Sequence, residues 1–112
     1  MTNLRSQHCS KLSNNDAALN DRQSTELVNQ LDPQWQVNKQ AQTISFTYEF
    51  KNYYQTMAFA NVVAQIAHQQ DHHPDLLITY NQCTVTYSTN SVDGLSLNDF
   101  ICAAKINAAQ TM

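Results

Sequence analysis

The spacing of apolar residues changes several times along this chain, and each change marks the boundary of a predicted element. Near the start, one helical face carries Leu27, Val28 and Leu31. Asn20 and Gln23 stand at the spacing of a capping box before this face, and Asp32-Pro33 ends it. The sequence therefore predicts a short first helix that starts at about Asn20.

Two strands are predicted after this helix. Residues 35–38 form the first, and residues 43–48 form the second. In the second, Ile44, Phe46 and Tyr48 alternate with hydroxyl side chains. Because successive side chains of a strand point to opposite faces, one face of the sheet is expected to be apolar.

A long helix is predicted over residues 52–68, because its apolar side chains recur at helical spacing. The repeat is carried by Tyr53, Met57, Ala60, Ala64 and Ala67, and the stripe is widened by Phe59, Val62, Val63 and Ile66. A last helix is predicted after Ser96, which forms a capping box with Asp99 in place of the usual Glu.

Between these helices, residues 76–80 and 83–88 read as a hairpin around Asn81-Gln82, since Asn tolerates left-handed turn geometry. In an antiparallel hairpin, the residue numbers of paired positions have a constant sum. If Tyr80 pairs with Cys83, Leu76 therefore lies opposite Tyr87, Pro74 opposite Thr89 and His73 opposite Asn90. This register predicts that Asn90 lies beside the histidines that precede the hairpin.

The predicted order is helix, strand, strand, helix, strand, strand, helix. Such paired hairpins favour an α+β fold, in which a four-stranded antiparallel sheet carries three helices on one face. We expect residues 1–18, which are polar and lack periodicity, to be a mobile leader, and residues 19–112 to form a single domain. An open sheet edge would offer a pairing surface to a second subunit.

Composition narrows the class of protein. A net charge of −3 with only six Lys and Arg residues argues against nucleic-acid and membrane-surface proteins. No apolar run reaches the length of a membrane span or signal peptide. Cys9, Cys83 and Cys102 are odd in number and lack CxxC spacing, so we expect unpaired thiols in a cytoplasmic protein.

The candidate chemistry lies in a histidine cluster. Three of the four histidines, His68, His72 and His73, fall within six positions, and imidazole exchanges protons near neutral pH. Pro74 disfavours helical geometry at His73, so the long helix should end near His72 and the two imidazoles should leave the backbone in different directions.

At these residues the sequence resembles the pterin-4a-carbinolamine dehydratase family. The resemblance is carried by Asp71-His72-His73-Pro74, Tyr80-Asn81, Ser88-Thr89, Gly94-Leu95-Ser96 and Asp99, and upstream by Trp35, Phe50-Lys51 and Phe59. It covers about residues 19–106. Two positions depart from the family pattern: Asn90 stands where a third active-site histidine is usual, and His68 stands where many members have an acid.

The resemblance implies loss of water from a 4a-hydroxytetrahydropterin, which gives a quinonoid dihydropterin without a metal or other cofactor. One proton leaves ring nitrogen N5, and another reaches the hydroxyl that leaves C4a. We expect His72 to do acid/base work and His73 to orient the substrate and share proton transfer. Asn90 is the third candidate catalytic residue, although its amide can only hydrogen-bond. The implied substrate-binding residues are Asp71, His73, Pro74, Ser88, Thr89 and Asp99.

Other interpretations stay open. The two histidines could merely cap a helix, and Asp99 is explained by helix capping alone. His68, His72 and His73 could instead form a metal site, although we expect none. The family implies a homodimer or homotetramer and a role in recycling the pterin of an aromatic amino acid hydroxylase. A non-catalytic pterin-binding or oligomerisation partner is the alternative function, because such a role would tolerate Asn90.

Overall fold

The two predicted strand pairs form one antiparallel sheet in the computed structural model, which describes residues 3–110. The elements are α1 (Asp21–Val28), β1 (Gln36–Asn38), β2 (Thr43–Glu49), α2 (Tyr53–Gln70), β3 (Asp75–Ile78), β4 (Gln82–Tyr87) and α3 (Leu97–Gln110). The strands lie in the order β1-β2-β4-β3, and all neighbours are antiparallel. The predicted α+β fold and element order are confirmed.

One face of the sheet is apolar, as the alternation predicts, and the helices bury it. The buried strand residues are Ile44, Phe46 and Tyr48 of β2 and Cys83, Val85 and Tyr87 of β4. They share one core cluster with residues of α2 and α3, while Leu27 and Val28 of α1 pack at its margin. Since burying a large apolar side chain contributes roughly 1.5–3 kcal/mol, this layer of contacts dominates the stability of the fold.

The buried face of α2 differs in phase from the predicted one. Its buried residues are Thr56, Phe59, Ala60, Val63 and Ala67. Tyr53 and Val62, which the predicted stripe included, are 52% and 39% exposed, and Ala64 is exposed as well. Small and apolar residues lie on more than one side of this helix, so its periodicity alone did not identify the side that docks on the sheet.

The end of α2 sets the direction of the chain at the histidines. Asp71 adopts the left-handed conformation, with φ 51° and ψ 44°. The N–H of Asp71 donates to the carbonyl of His68 (3.3 Å), and that of His72 donates to the carbonyl of Ala67 (3.1 Å). These two bonds form a Schellman-type helix end, in which Asp takes the place usually held by Gly. The prediction that the helix ends near His72 is confirmed.

The predicted register of the hairpin is wrong by two residues. Ile78 lies opposite Cys83 and Leu76 lies opposite Val85, not Tyr87. The turn is built on Tyr80-Asn81 and closed by a 2.9 Å bond from the N–H of Thr79 to the carbonyl of Gln82. The carbonyl of Asn81 also accepts from the N–H of Phe50 (2.8 Å), so a contact with the end of β2 helps to hold the turn at this place.

Because the error is an even number of residues, every side chain of the hairpin keeps its predicted face. Continuing the observed register beyond the strands, however, places His73 opposite Ser88. The expected pairing of His73 with Asn90 is therefore a wrong prediction.

The amino-terminal segment contacts the rest of the chain at several points. Leu4 is buried, within a 3₁₀ turn at Leu4–Ser6 that packs on α3. The Lys105 ammonium donates to the carbonyl of Arg5 at 2.9 Å. The division into a leader over residues 1–18 and a domain over residues 19–112 stays a prediction, as does the mobility of the leader. No helix within residues 3–110 is both long and apolar enough to cross a membrane.

Candidate functional site

Tyr87 of β4 contacts both the ring and the backbone of His72. The His72 ring stacks on that of Tyr87, with centroids 5.1 Å apart and planes inclined by 17°. The Tyr87 hydroxyl donates to the backbone carbonyl of His72 at 3.2 Å. The left-handed turn at Asp71 brings the chain to this position directly after α2. The imidazole is therefore oriented before any ligand arrives.

The free edge of this imidazole meets a buried carboxylate. Nε2 of His72 lies 2.6 Å from Oδ1 of Asp99, whose side chain is fully buried in the first turn of α3. The other carboxylate oxygen accepts one hydrogen bond from the Thr89 hydroxyl at 2.8 Å and another from the Ser96 N–H at 2.9 Å. Three donors and the amino-terminal end of α3 therefore compensate the buried negative charge.

The direction of each bond in this network follows from counting hydrogens. Thr89 has a single hydroxyl proton, and it goes to Asp99. The Ser96 hydroxyl lies 2.7 Å from the Thr89 oxygen, so Ser96 is the donor of that bond. Only half of the predicted capping box is formed: Asp99 accepts from the Ser96 backbone, whereas the Ser96 hydroxyl bonds Thr89.

The same reasoning gives the tautomer of His72. A carboxylate oxygen at Nε2 accepts a proton, so Nε2 carries one and Nδ1 is the nitrogen left to exchange protons. Within residues 3–110, no hydrogen bond occupies Nδ1. His72 is thus equipped to gain and lose a proton at one defined atom.

Two opposing effects act on the pKa of His72. Burial disfavours the charged imidazolium and would lower the pKa. The hydrogen bond that Nε2 donates to Asp99 and the negative charge of that carboxylate favour the imidazolium and outweigh burial, so the pKa of His72 is raised above its ordinary value. Asp99 is the main source of this increase in the pKa of His72.

A cavity of about 380 Å³ opens in front of His72. Asp71, His72 and Thr89 line one side, and residues 9–12 of the amino-terminal segment line the other. Its volume falls within the roughly 300–1,000 Å³ typical of small-molecule sites.

The structure brings four of the predicted site residues together: Asp71, His72 and Thr89 at the cavity, and Asp99 directly behind His72. The other four do not line this cavity. His73 and Asn90 are exposed, whereas Pro74 and Ser88 are half-buried. His73 continues the exposed positions of Asp75 and Leu77 on β3, so the two adjacent histidines lie on opposite sides of the chain.

Sequence analysis missed the contribution of the amino-terminal segment. Two hydrogen bonds join Ser10 to Asn98. The Ser10 N–H donates to the side-chain oxygen of Asn98 at 3.1 Å, and the side-chain N–H of Asn98 donates to the Ser10 carbonyl at 2.8 Å. The N–H of Cys9 donates to the Gln70 side chain at 2.8 Å. These partners lie 61 to 88 positions apart in the chain, and no local pattern identifies such pairs.

The metal-site alternative finds no matching geometry. Across residues 3–110, no three His, Cys, Asp or Glu side chains are grouped so that they could hold a metal ion. His68 is exposed on the last turn of α2, whereas the His72 ring contacts the carboxylate of Asp99.

Comparisons with known proteins agree with this architecture. A family model described as pterin 4 alpha carbinolamine dehydratase matches residues 17–109. A Nitrosomonas eutropha protein, provisionally named a pterin-4-alpha-carbinolamine dehydratase, is 53% identical over 89 residues, which are 80% of this chain and 77% of that protein. A Legionella pneumophila protein of the same provisional name is 45% identical over 106 residues, which are 95% of this chain and 94% of that protein.

A solved structure has the same fold. The transcriptional coactivator/pterin dehydratase from Brucella melitensis superimposes with a TM-score of 0.76 at 31% identity, covering 81% of this chain and 96% of that one. The family match spans the sheet, the hairpin, α2, most of α3 and all of the His72 network. The chain belongs to the pterin-4α-carbinolamine dehydratase family.

Proposed function

We propose that this protein removes water from a 4a-hydroxytetrahydropterin and that His72 supplies acid/base catalysis. Family membership and the names of the relatives support a pterin dehydratase. The single observation that supports the role of His72 is its 2.6 Å contact with the buried Asp99 carboxylate. This contact leaves Nδ1 as the atom that exchanges a proton.

The elimination needs one proton at the departing oxygen and the removal of one proton from nitrogen. The protonated Nδ1 of His72 donates to the hydroxyl on C4a, the C–O bond breaks, and water leaves. The N5–H proton is taken by a base, and its electron pair forms the C4a–N5 double bond of the quinonoid dihydropterin. Asp99 stabilises the imidazolium before the transfer, and its hydrogen bond keeps the remaining proton on Nε2 of His72 afterwards.

We assign His73 to substrate orientation and shared proton transfer on the strength of the family resemblance, although its exposed ring lies on the opposite side of the chain from His72 and does not line the cavity. Asn90 is exposed at the start of a 3₁₀ turn, Asn90–Val92, and its amide would hydrogen-bond the substrate or a water. Asp71, Pro74, Ser88 and Thr89 would complete the pterin site. Since an amide cannot act as an acid or base, we expect a slower enzyme than one with a third histidine.

The physiological role we propose is recycling of the pterin cofactor used by an aromatic amino acid hydroxylase in the cytoplasm. A homodimer or homotetramer is the proposed assembly. The uncovered face of the sheet and the free β3 edge are available within a single chain for subunit pairing.

Dehydration of a synthetic 4a-hydroxytetrahydropterin by wild type, His72→Ala and His68→Ala tests this function. We expect His72→Ala to lower kcat by about 10²–10⁴, the usual contribution of a positioned acid or base. His68→Ala is the matched control, because His68 is exposed and lies outside the cavity. Wild type no faster than solvent, or full activity in His72→Ala, would contradict the proposal.

A second candidate is a non-catalytic pterin-binding or oligomerisation partner. It is favoured by Asn90 and by the Brucella melitensis relative, whose name includes transcriptional coactivator as well as pterin dehydratase. Calorimetric binding of a dihydropterin analogue, combined with absent turnover, would support this candidate over the enzyme.

A further inference from the structure

Residues 8–12, which we call the amino-terminal strap, run beside the cavity at His72, and residues 9–12 line it. The strap is attached by the paired bonds between Ser10 and Asn98 and by contacts of Gln70 with the Cys9 N–H and His8. None of these bonds is fully buried, so the strap is held by a small number of solvent-accessible interactions.

Two thiols meet beneath the strap. The Sγ atoms of Cys9 and Cys102 are 3.5 Å apart, and both cysteines are free. Cys102 is fully buried on α3, one helical turn after Asp99, whereas Cys9 is half-buried and borders the cavity. A disulfide bond has an S–S length of about 2.05 Å, so the two sulfurs need to approach by roughly 1.5 Å.

The two thiols are chemically unequal. The hydrogen bond from Cys102 lowers the pKa of Cys9 and outweighs the effect of burial. The contact with Cys9, together with burial, raises the pKa of Cys102. Cys9, which has the lowered pKa and is half-buried beside the cavity, is therefore the more reactive of the two thiols toward peroxide.

We propose that Cys9 and Cys102 form a reversible disulfide when the protein meets a hydroperoxide, and that this bond pins the strap across the cavity. With hydrogen peroxide, the Cys9 thiolate attacks one oxygen, the O–O bond breaks, and the leaving hydroxide takes a proton from solvent, so that the products are a sulfenic acid and water. The Cys102 sulfur then attacks the Cys9 sulfur, the S–O bond breaks, and a second water leaves. Two thiols are oxidised and one peroxide is reduced.

Peptide mapping tests the bond directly. The intact protein is treated with hydrogen peroxide, alkylated, and digested without reductant by proteases that cut after Lys or Arg and before Asp. We expect residues 6–11 to be joined to residues 99–105, with titratable thiols falling from three to one. Because Cys83 lies on the separate peptide of residues 75–92, this digestion distinguishes the two possible partners of Cys9.

Dithiothreitol should restore all three thiols. Cys83→Ala is the matched control and should still form the bond, whereas Cys9→Ser and Cys102→Ala should not. A bond to Cys83, a bond between two chains, or peroxide treatment that leaves three free thiols would overturn the proposal.

The effect on turnover rests on the proposed function. We expect oxidised wild type to lose dehydratase activity and to regain it with dithiothreitol, while Cys102→Ala, in which the buried cysteine outside the cavity is replaced, keeps its activity in peroxide. If the reduced wild type has no activity, the proposed function fails, but the peptide map still decides whether the disulfide forms. A mapped disulfide with unchanged turnover would overturn the pinning of the strap over an active cavity.

Discussion

Asp99 and His72 are 27 residues apart in the chain, yet Oδ1 of the first lies 2.6 Å from Nε2 of the second. The carboxylate has two tasks at once. Its other oxygen accepts a hydrogen bond from the Ser96 N–H at the start of α3. Its Oδ1 atom orients the imidazole of His72 and favours the protonated form of that ring. Sequence analysis weighed capping and function as alternatives, whereas the geometry allows one side chain to do both.

This contact predicts a pH dependence of stability. Because the pKa of His72 is raised on folding, its protonated form should stabilise the protein fully below the unfolded value of about 6.5. That contribution should be lost as pH rises through the folded pKa. Urea unfolding at a series of pH values, with an NMR titration of the His72 ring, measures both quantities.

Asp99→Asn should lower the pKa of His72, since burial then acts without the compensating charge, and should remove this part of the pH dependence. Asp75→Asn is a suitable control, because Asp75 is exposed on β3. An unchanged His72 titration in Asp99→Asn would show that another group supports the imidazolium.

Thr89 should behave as a positioning residue. Thr89→Val keeps the shape of the side chain but removes a donor to Asp99 and the acceptor of the Ser96 hydroxyl. We expect a loss of about 1–3 kcal/mol in unfolding free energy, the usual cost of unsatisfied buried groups. Thr89→Ser retains the hydroxyl and should recover most of this loss in urea denaturation. Equal stability of the Val and Ser variants would contradict this role.

Gly94 should be required for close packing. The described backbone has no glycine with positive φ, and the left-handed residue of this turn is Asp93 (φ 53°). A Cβ atom added at Gly94 would lie 2.9 Å from the Cβ atom of Ala18. We expect Gly94→Ala to destabilise the protein by about 1–3 kcal/mol, as overpacking does.

Ala18→Gly combined with Gly94→Ala should recover part of that loss, because Ala18→Gly removes the Cβ atom with which the new side chain clashes. A double-mutant cycle measured by thermal or urea unfolding gives the coupling. Strictly additive effects would contradict the predicted clash.

Asn90→His should raise turnover if Asn90 stands where an acid or base assists His72. Steady-state dehydration of a 4a-hydroxytetrahydropterin measures the change, with Ser91→His as the control at a neighbouring exposed position. Flat or reduced turnover in Asn90→His would mean that this position does not contribute to proton transfer.

Much of the fold follows from local pattern. Alternation in β2 identified its buried face, and Asn20 with Gln23 formed the expected capping box, with bonds of 2.8 and 2.9 Å. The break between α2 and His73 was also predictable, because proline restricts the residue before it. These features depend on neighbours within a few positions, so periodicity and turn chemistry are sufficient to predict them.

Long-range packing decided the rest. The turn at Tyr80-Asn81, tied to Phe50, selected the register of the hairpin, and docking on the sheet selected the buried side of α2. The pairings of His72 with Asp99 and of Cys9 with Cys102 join residues 27 and 93 positions apart. The residue types of the site could be read from the chain, but their partners depend on how α3 and the strap pack, and this packing has no local signature in the sequence.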